Sequence, residues 1–194
     1  MKIQHAAIIA GGASRRMGQA KALIEFEGQT LIARVAQVAR EVLPEVFVVT
    51  SLPEVAAAAN APMTPDIFPG KGPLAGIHAA LKYANAPVFC CACDMPHLNA
   101  EFIRFLCENL EDYDAVVPRA GVYDEPLHAI YTPSCLPAIE AELQGEVGPV
   151  DNIFKNLRVR FVDAETARRF DAKLQMFDNW NTPEDAKKSG VQKL

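Results

Sequence analysis

No acidic residue precedes Glu25, whereas Lys2, Arg15, Arg16 and Lys21 in the same stretch are all basic. That local bias is missing from the chain as a whole, where 19 Lys+Arg against 24 Asp+Glu give a net charge of −5. A mildly acidic total provides no global field for nucleic acid or an anionic membrane, so neither is expected as a partner. Long apolar runs are absent too: nothing approaches the roughly 20 residues of a membrane-spanning helix. The start, Met-Lys-Ile-Gln-His, has no cleavable-signal pattern. Cysteine is sparse and odd in number, with Cys90, Cys91, Cys93, Cys107 and Cys135 keeping no disulfide rhythm. Cys90 and Cys93 form a CxxC, but it lies inside the apolar run VFCCAC and no second CxxC exists. Small buried hydrophobes explain it better than zinc or redox chemistry. These features point to a reducing, cytoplasmic compartment.

What is present suffices for a core. Half of the 194 residues are hydrophobic, and the 14 prolines and 11 glycines are scattered rather than periodic. Strand-length apolar runs alternate with helix-periodic segments along the chain. His5–Ala10 reads as a strand. Leu31, Val35, Val38 and Val42 then recur at the spacing of one helical face, and Pro44 stops that helix. Residues 46–49 form an all-apolar run of the kind covered on both faces. Further helices are expected over 54–60, from Leu74 to Leu81, from a cap at Asn99 through Leu110, and over 136–143. Strands are expected over 62–66, at VFCCAC, over 114–118, over 127–131 and over 157–162. Thr182-Pro183-Glu184-Asp185 should open a last helix. The pattern predicts one α/β domain across residues 1–194, a three-layer fold with a mainly parallel sheet and an antiparallel edge from the looser second half.

Ligands of such sheets bind at the carboxyl ends of the strands. Three features fall there: the loop after the first strand, Asp66 with the loop that follows it, and Asp94. The loop AGGASRRMGQAKAL, Ala10 to Leu23, offers Gly11 and Gly12 for close backbone approach and three cations, Arg15, Arg16 and Lys21, around the same space. It is neither a P-loop nor GxGxxG, yet its chemistry favours phosphate over an ordinary basic turn. Asp94 ends the VFCCAC strand, where a carboxylate facing a phosphate loop suits a shared Mg²⁺; the competing reading is a turn cap. The loop PGKGPLAGI, Pro69 to Ile77, could read a base edge or simply start a helix. Near the end, FDNWNTPED offers Asn179 and Asn181 to a polar ligand, or caps a helix. Trp180 between them is either a contact or a core anchor. His5, His78, His97 and His128 lack metal-ligand spacing and read as structural.

The string IIAGGASRRMGQAKAL resembles the LAGG-x-S-x-RMG-x-x-K pattern of the molybdenum cofactor guanylyltransferases. The resemblance continues through GPLAGI, CDMP, EPLHAIY and NWNTPED in the family's order. AGG together with GPLAG distinguishes guanine-using members from relatives that transfer cytidylate. The resemblance implies a Rossmann-like sheet of the nucleotide-diphospho-sugar transferase type, and transfer of GMP from MgGTP to molybdopterin with release of pyrophosphate. It implies nucleotide contacts from Ile9, Ala10, Gly11, Gly12, Lys21, Thr50, Asp66, Gly76 and Asp94, with Mg²⁺ on Asp94. Arg16, Lys21 and Asp94 would carry the catalysis, Arg16 steadying the leaving pyrophosphate. Asn179 and Asn181 would face molybdopterin, and transient molybdoenzyme or cofactor-insertion partners would receive the product.

Four positions depart from the family pattern: Ile9 for Leu, Ala20 before the lysine, Thr50 where some members have Asn, and the bulky Trp180 between the asparagines. The alternatives are another nucleotidyltransferase, using CTP or a sugar phosphate, and a non-catalytic module that binds nucleotide or cofactor.

Overall fold

The computed structural model describes residues 3–11 and 20–180. Its centre is an eight-stranded sheet. The strands are β1 (His5–Ile9), β4 (Glu45–Val49), β5 (Met63–Thr64), β6 (Val88–Ala92), β7 (Ala115–Ala120), β8 (Tyr123–Asp124), β9 (His128–Tyr131) and β10 (Val159–Val162). A separate hairpin holds β2 (Glu25–Phe26) and β3 (Gln29–Thr30). The order across the sheet is β10-β7-β9-β6-β1-β4-β5, with β8 paired to β7. Strand β1 lies between β4 and β6, parallel to both, with Ile9 level with Val49 and Ala92.

Alternation along β1 sets the layers. Ala6 and Ile8 face one core, while Ala7 and Ile9 face the other. Against the first pack α1 (Leu31–Arg40), α2 (Pro53–Ala59), α4 (Ala100–Glu108) and α6 (Ala164–Ala167); against the second pack α3 (Pro73–Ala84) and α5 (Leu136–Gln144). Local chemistry fixes where the helices begin. Thr30 Oγ1 accepts from the Ala33 N–H at 3.4 Å, and Asn99 Oδ1 accepts from the Phe102 N–H at 3.0 Å. Helix α3 starts at Gly72-Pro73, where Gly72 takes φ 73°, a conformation that a side chain would strain. It ends on Asn85 in the left-handed region, at φ 47°.

The three-layer, mainly parallel fold is as the sequence predicts, but the antiparallel strand is not at an edge. β9 runs antiparallel to both β6 and β7 and is inserted between them. Only residues 121–127 separate β7 from β9, with β8 among them. A parallel return needs a crossover of a dozen residues or more, so this short connection forces the chain straight back. The helix expected from Thr182 lies outside the described residues. Among the described residues no helix is long and apolar enough to cross a membrane.

Candidate active site

The carboxyl ends of β1, β4, β5 and β6 form one edge, and the amino end of β9 joins it because that strand is reversed. Leu127 O accepts from the Ala92 N–H at 3.1 Å, which places Glu125–Leu127 beside the chain that leads to Asp94.

At the end of β1, the Ile9 carbonyl accepts from the Cys93 N–H at 3.2 Å, and the Ala10 N–H donates to Val49 O at 3.0 Å. Sheet bonding therefore occupies the Ile9 carbonyl, and exposed backbone begins at Gly11. A Cβ on Gly11 would lie 4.0 Å from Asp66 Oδ2, so Gly11 and Asp66 border one space. Asp66 is set by its own turn, Oδ1 accepting from the Phe68 N–H at 2.9 Å. Helix α3 begins just beyond, and the positive end of its backbone dipole favours negative charge there.

Lys21 lies in the single turn Lys21–Leu23, and its ammonium pairs with Asp94 Oδ2. Both side chains are mostly buried, 16% and 12% exposed, so this contact is poorly screened by solvent. Asp94 is further fixed through its carbonyl, which accepts from the Trp180 N–H at 2.9 Å. Asn179, next to Trp180, is exposed, with Nδ2 donating to Phe177 O at 3.3 Å.

Two expected contact residues occupy packing positions. Thr50 is buried; its hydroxyl accepts from the Leu52 N–H at 3.1 Å, and its own N–H donates to Thr64 O at 2.9 Å. Gly76 is buried within α3, where a Cβ would come 2.6 Å from Ile9 Cγ2. Its missing side chain lets α3 lie close on β1. Gly12, Arg15, Arg16 and Asn181 lie outside the described residues.

Mg²⁺ can be tested against the donors present. Among the described residues there is no group of three or more His, Cys, Asp or Glu side chains able to hold a metal. Asp94 offers a hard oxygen at the end of β6, already drawing the Lys21 cation. That fits Mg²⁺, which takes one or two carboxylates and completes its shell with water and substrate phosphates.

Some features of this edge were not singled out from the sequence as individual residues. Arg34 Nε donates to Pro96 O at 3.0 Å, clamping the loop after Asp94 to α1. Burial, followed by the nearby Asp124 and Asp151, pushes the Glu125 carboxyl up to about 7. Glu125 belongs to the EPLHAIY segment, so the segment was visible while the residue's burial was not. Burial holds the Cys90 thiol far above its ordinary value and pushes Cys93 up to about 12. Cys90 is buried and Cys93 half-buried, and with both thiols pushed up the CxxC lacks the thiolates that metal or redox chemistry needs.

The chain resembles known proteins along most of its length. Residues 6–160 match the family described as MobA-like NTP transferase domain. A probable molybdenum cofactor guanylyltransferase of Pelotomaculum thermopropionicum is 41% identical over 185 residues, covering 95% of this chain and 90% of that protein. The molybdenum cofactor guanylyltransferase of Syntrophotalea carbinolica is 34% identical over 191 residues, covering 97% and 91%. The crystal structure of molybdopterin-guanine dinucleotide biosynthesis protein A from Archaeoglobus fulgidus superposes with a TM-score of 0.82 at 29% identity, covering 96% of each chain.

Proposed function

The chain belongs to the molybdenum cofactor guanylyltransferases within the MobA-like NTP transferase family, and from that premise we propose that it transfers GMP from GTP to molybdopterin. The observation that carries this reading is the pairing of Lys21 with Asp94 at the end of β6, next to the end of β1. An oxygen of the acceptor's terminal phosphate attacks the α-phosphorus of GTP. A new P–O bond forms, the bond to the β-phosphate bridge breaks, and pyrophosphate leaves. The attacking group is already anionic, so no side chain has to remove its proton. The protein's task is positioning and charge neutralisation.

In this reading the backbone from Ala10 to Gly12 follows the triphosphate, and Ile9 contributes by setting where that backbone begins. Lys21 moves its ammonium from Asp94 to a phosphate oxygen, and Arg16 takes the charge developing on pyrophosphate. Asp94 would hold Mg²⁺, which when bound neutralises phosphate charge and aligns the reacting oxygens. Asp66 borders the nucleoside. Thr50 and Gly76 act from beneath, one fixing the end of β4 and the other the approach of α3 to β1. Asn179 and Asn181 face the acceptor. Five free thiols support a cytoplasmic setting, and transient partners that insert the finished cofactor would collect the product.

The test is incubation of the protein with MgGTP and molybdopterin. Dinucleotide and pyrophosphate should form in equal amounts; the absence of both refutes the assignment.

A further inference from the structure

Lys21 and Asp94 stand 73 positions apart in the chain, and more than their mutual attraction brings them together. After the Lys21–Leu23 turn the chain enters the β2–β3 hairpin, where Phe26 is buried. After Asp94 it continues through Met95 and Pro96 to His97. Trp180, only 4% exposed, lies between these two segments. Its indole meets the Phe26 ring edge-on, with centroids 4.5 Å apart and planes at 89°. It meets His97 in the same manner at 5.1 Å and 78°, while its backbone N–H holds the Asp94 carbonyl at 2.9 Å. Phe26, Leu31 and Trp180 form a small core of their own, distinct from those on the two faces of the sheet. Arg34 ties the same segments together: Nε reaches Pro96 O at 3.0 Å, one terminal nitrogen pairs with Glu27 at 2.8 Å, and the guanidinium lies 5.2 Å from the Phe26 centroid.

We infer that Trp180 is a positioning residue of the reaction: its indole locks the hairpin after Lys21 to the loop after Asp94 and so fixes how the Lys21 ammonium is presented beside Asp94 to the substrate phosphates. The inference rests on the guanylyl-transfer reading for what Lys21 and Asp94 do, but its geometry stands independently. A large ring is needed because it must touch Phe26 on one side and His97 on the other; a smaller aliphatic chain would leave the hairpin without its aromatic contact to the loop after Asp94, held by Leu31, Ile24 and the partly exposed Arg34. The side chain thus acts on catalysis through Lys21, without touching the nucleotide itself.

A double-mutant cycle tests this. In otherwise wild-type protein, Trp180→Leu should lower kcat/KM for GTP at least tenfold, whereas Trp180→Phe, which restores a ring edge, should stay within threefold. In a Lys21→Ala background the same Trp180→Leu change should alter kcat/KM less than twofold, because the group it positions is gone. A full tenfold loss in that background, or wild-type activity in Trp180→Leu, overturns the inference. If Trp180→Leu does not fold, Phe26→Leu, which removes the opposite ring, enters the same cycle with the same expected outcomes. Crystal structures give a readout independent of activity: Lys21 Nζ should lie beyond 4 Å (the outer limit of an ion pair) from Asp94 in Trp180→Leu, and retained pairing overturns the inference. Wild-type protein that releases no pyrophosphate from GTP would refute the reaction reading instead, and the crystal structures would then decide the positioning role.

Discussion

Gly76→Ala is the perturbation whose outcome follows most directly from the packing of α3 on β1. The new methyl would sit 2.6 Å from Ile9 Cγ2 and 3.3 Å from Ile9 Cδ1. Apolar carbons prefer about 3.5–4.0 Å, so the first contact overlaps by roughly 1 Å. Ile9 is β-branched, 7% exposed and bonded within the sheet, so it has little room to turn away. Overpacking of this kind costs about 1–3 kcal/mol, against a helix-propensity gain of about 1 kcal/mol for replacing glycine. The net result is a destabilisation of up to about 2 kcal/mol, or a fall of up to about 8 °C in Tm for a chain of this size. The sign should invert when Ile9 is Ala, since the clash disappears and the propensity gain remains. Urea and thermal melts of the four proteins in this cycle measure it. A Gly76→Ala protein that is more stable than wild type, or equally destabilised in both backgrounds, would refute the packing argument. Because Ile9 leads directly into Ala10 and Gly11, nucleotide binding should weaken in Gly76→Ala and recover in the double variant.

Other predictions concern the charged pair and a buried histidine. Lys21→Ala should lower kcat/KM by about 100- to 1,000-fold, the scale of losing one preorganised charge donor; unchanged steady-state kinetics would remove Lys21 from the mechanism. Asp94→Ala should abolish Mg²⁺-dependent turnover yet still melt cooperatively, and calorimetry with MgGTP should show weakened binding; near-wild-type turnover would reassign the metal. His128 is fully buried among Phe89, Phe102 and Phe177, and burial lowers its pKa to about 3, with the Met176 backbone opposing. Its neutral form belongs to the fold, so the associated stability is complete above about pH 6.5 and is lost as pH falls toward 3, at no more than about 1.4 kcal/mol per pH unit. The stability of wild type relative to His128→Phe should therefore drop by about 2 kcal/mol between pH 7 and pH 5; parallel pH profiles would contradict this.

Much of the scaffold was legible because proline, glycine and asparagine punctuate apolar runs of distinct period. Pro44 separates α1 from β4, and Asn99 caps α4 where the sequence places it. The β2–β3 hairpin escaped because two-residue strands carry no periodicity. The interior position of β9 is set by which strands lie beside it, information that a run of apolar residues does not contain. At the site, strand ends predicted that Asp66 and Asp94 share an edge with the first loop. They could not reveal that Thr50 is turned inward to cap its own strand, or that Gly76 serves helix-on-strand contact. Trp180 was open between ligand contact and core anchor. The choice depended on a partner, Phe26, that lies in the hairpin the sequence concealed.

Guanylyl transfer at the Lys21–Asp94 edge can be followed most directly through the fate of isotope-labelled GTP incubated with molybdopterin and Mg²⁺. Label at the α-phosphate should appear in the dinucleotide and label at the γ-phosphate in pyrophosphate, with CTP a poor substitute. Label from the γ-phosphate in the acceptor product, equal use of CTP, or no transfer at all would contradict the account.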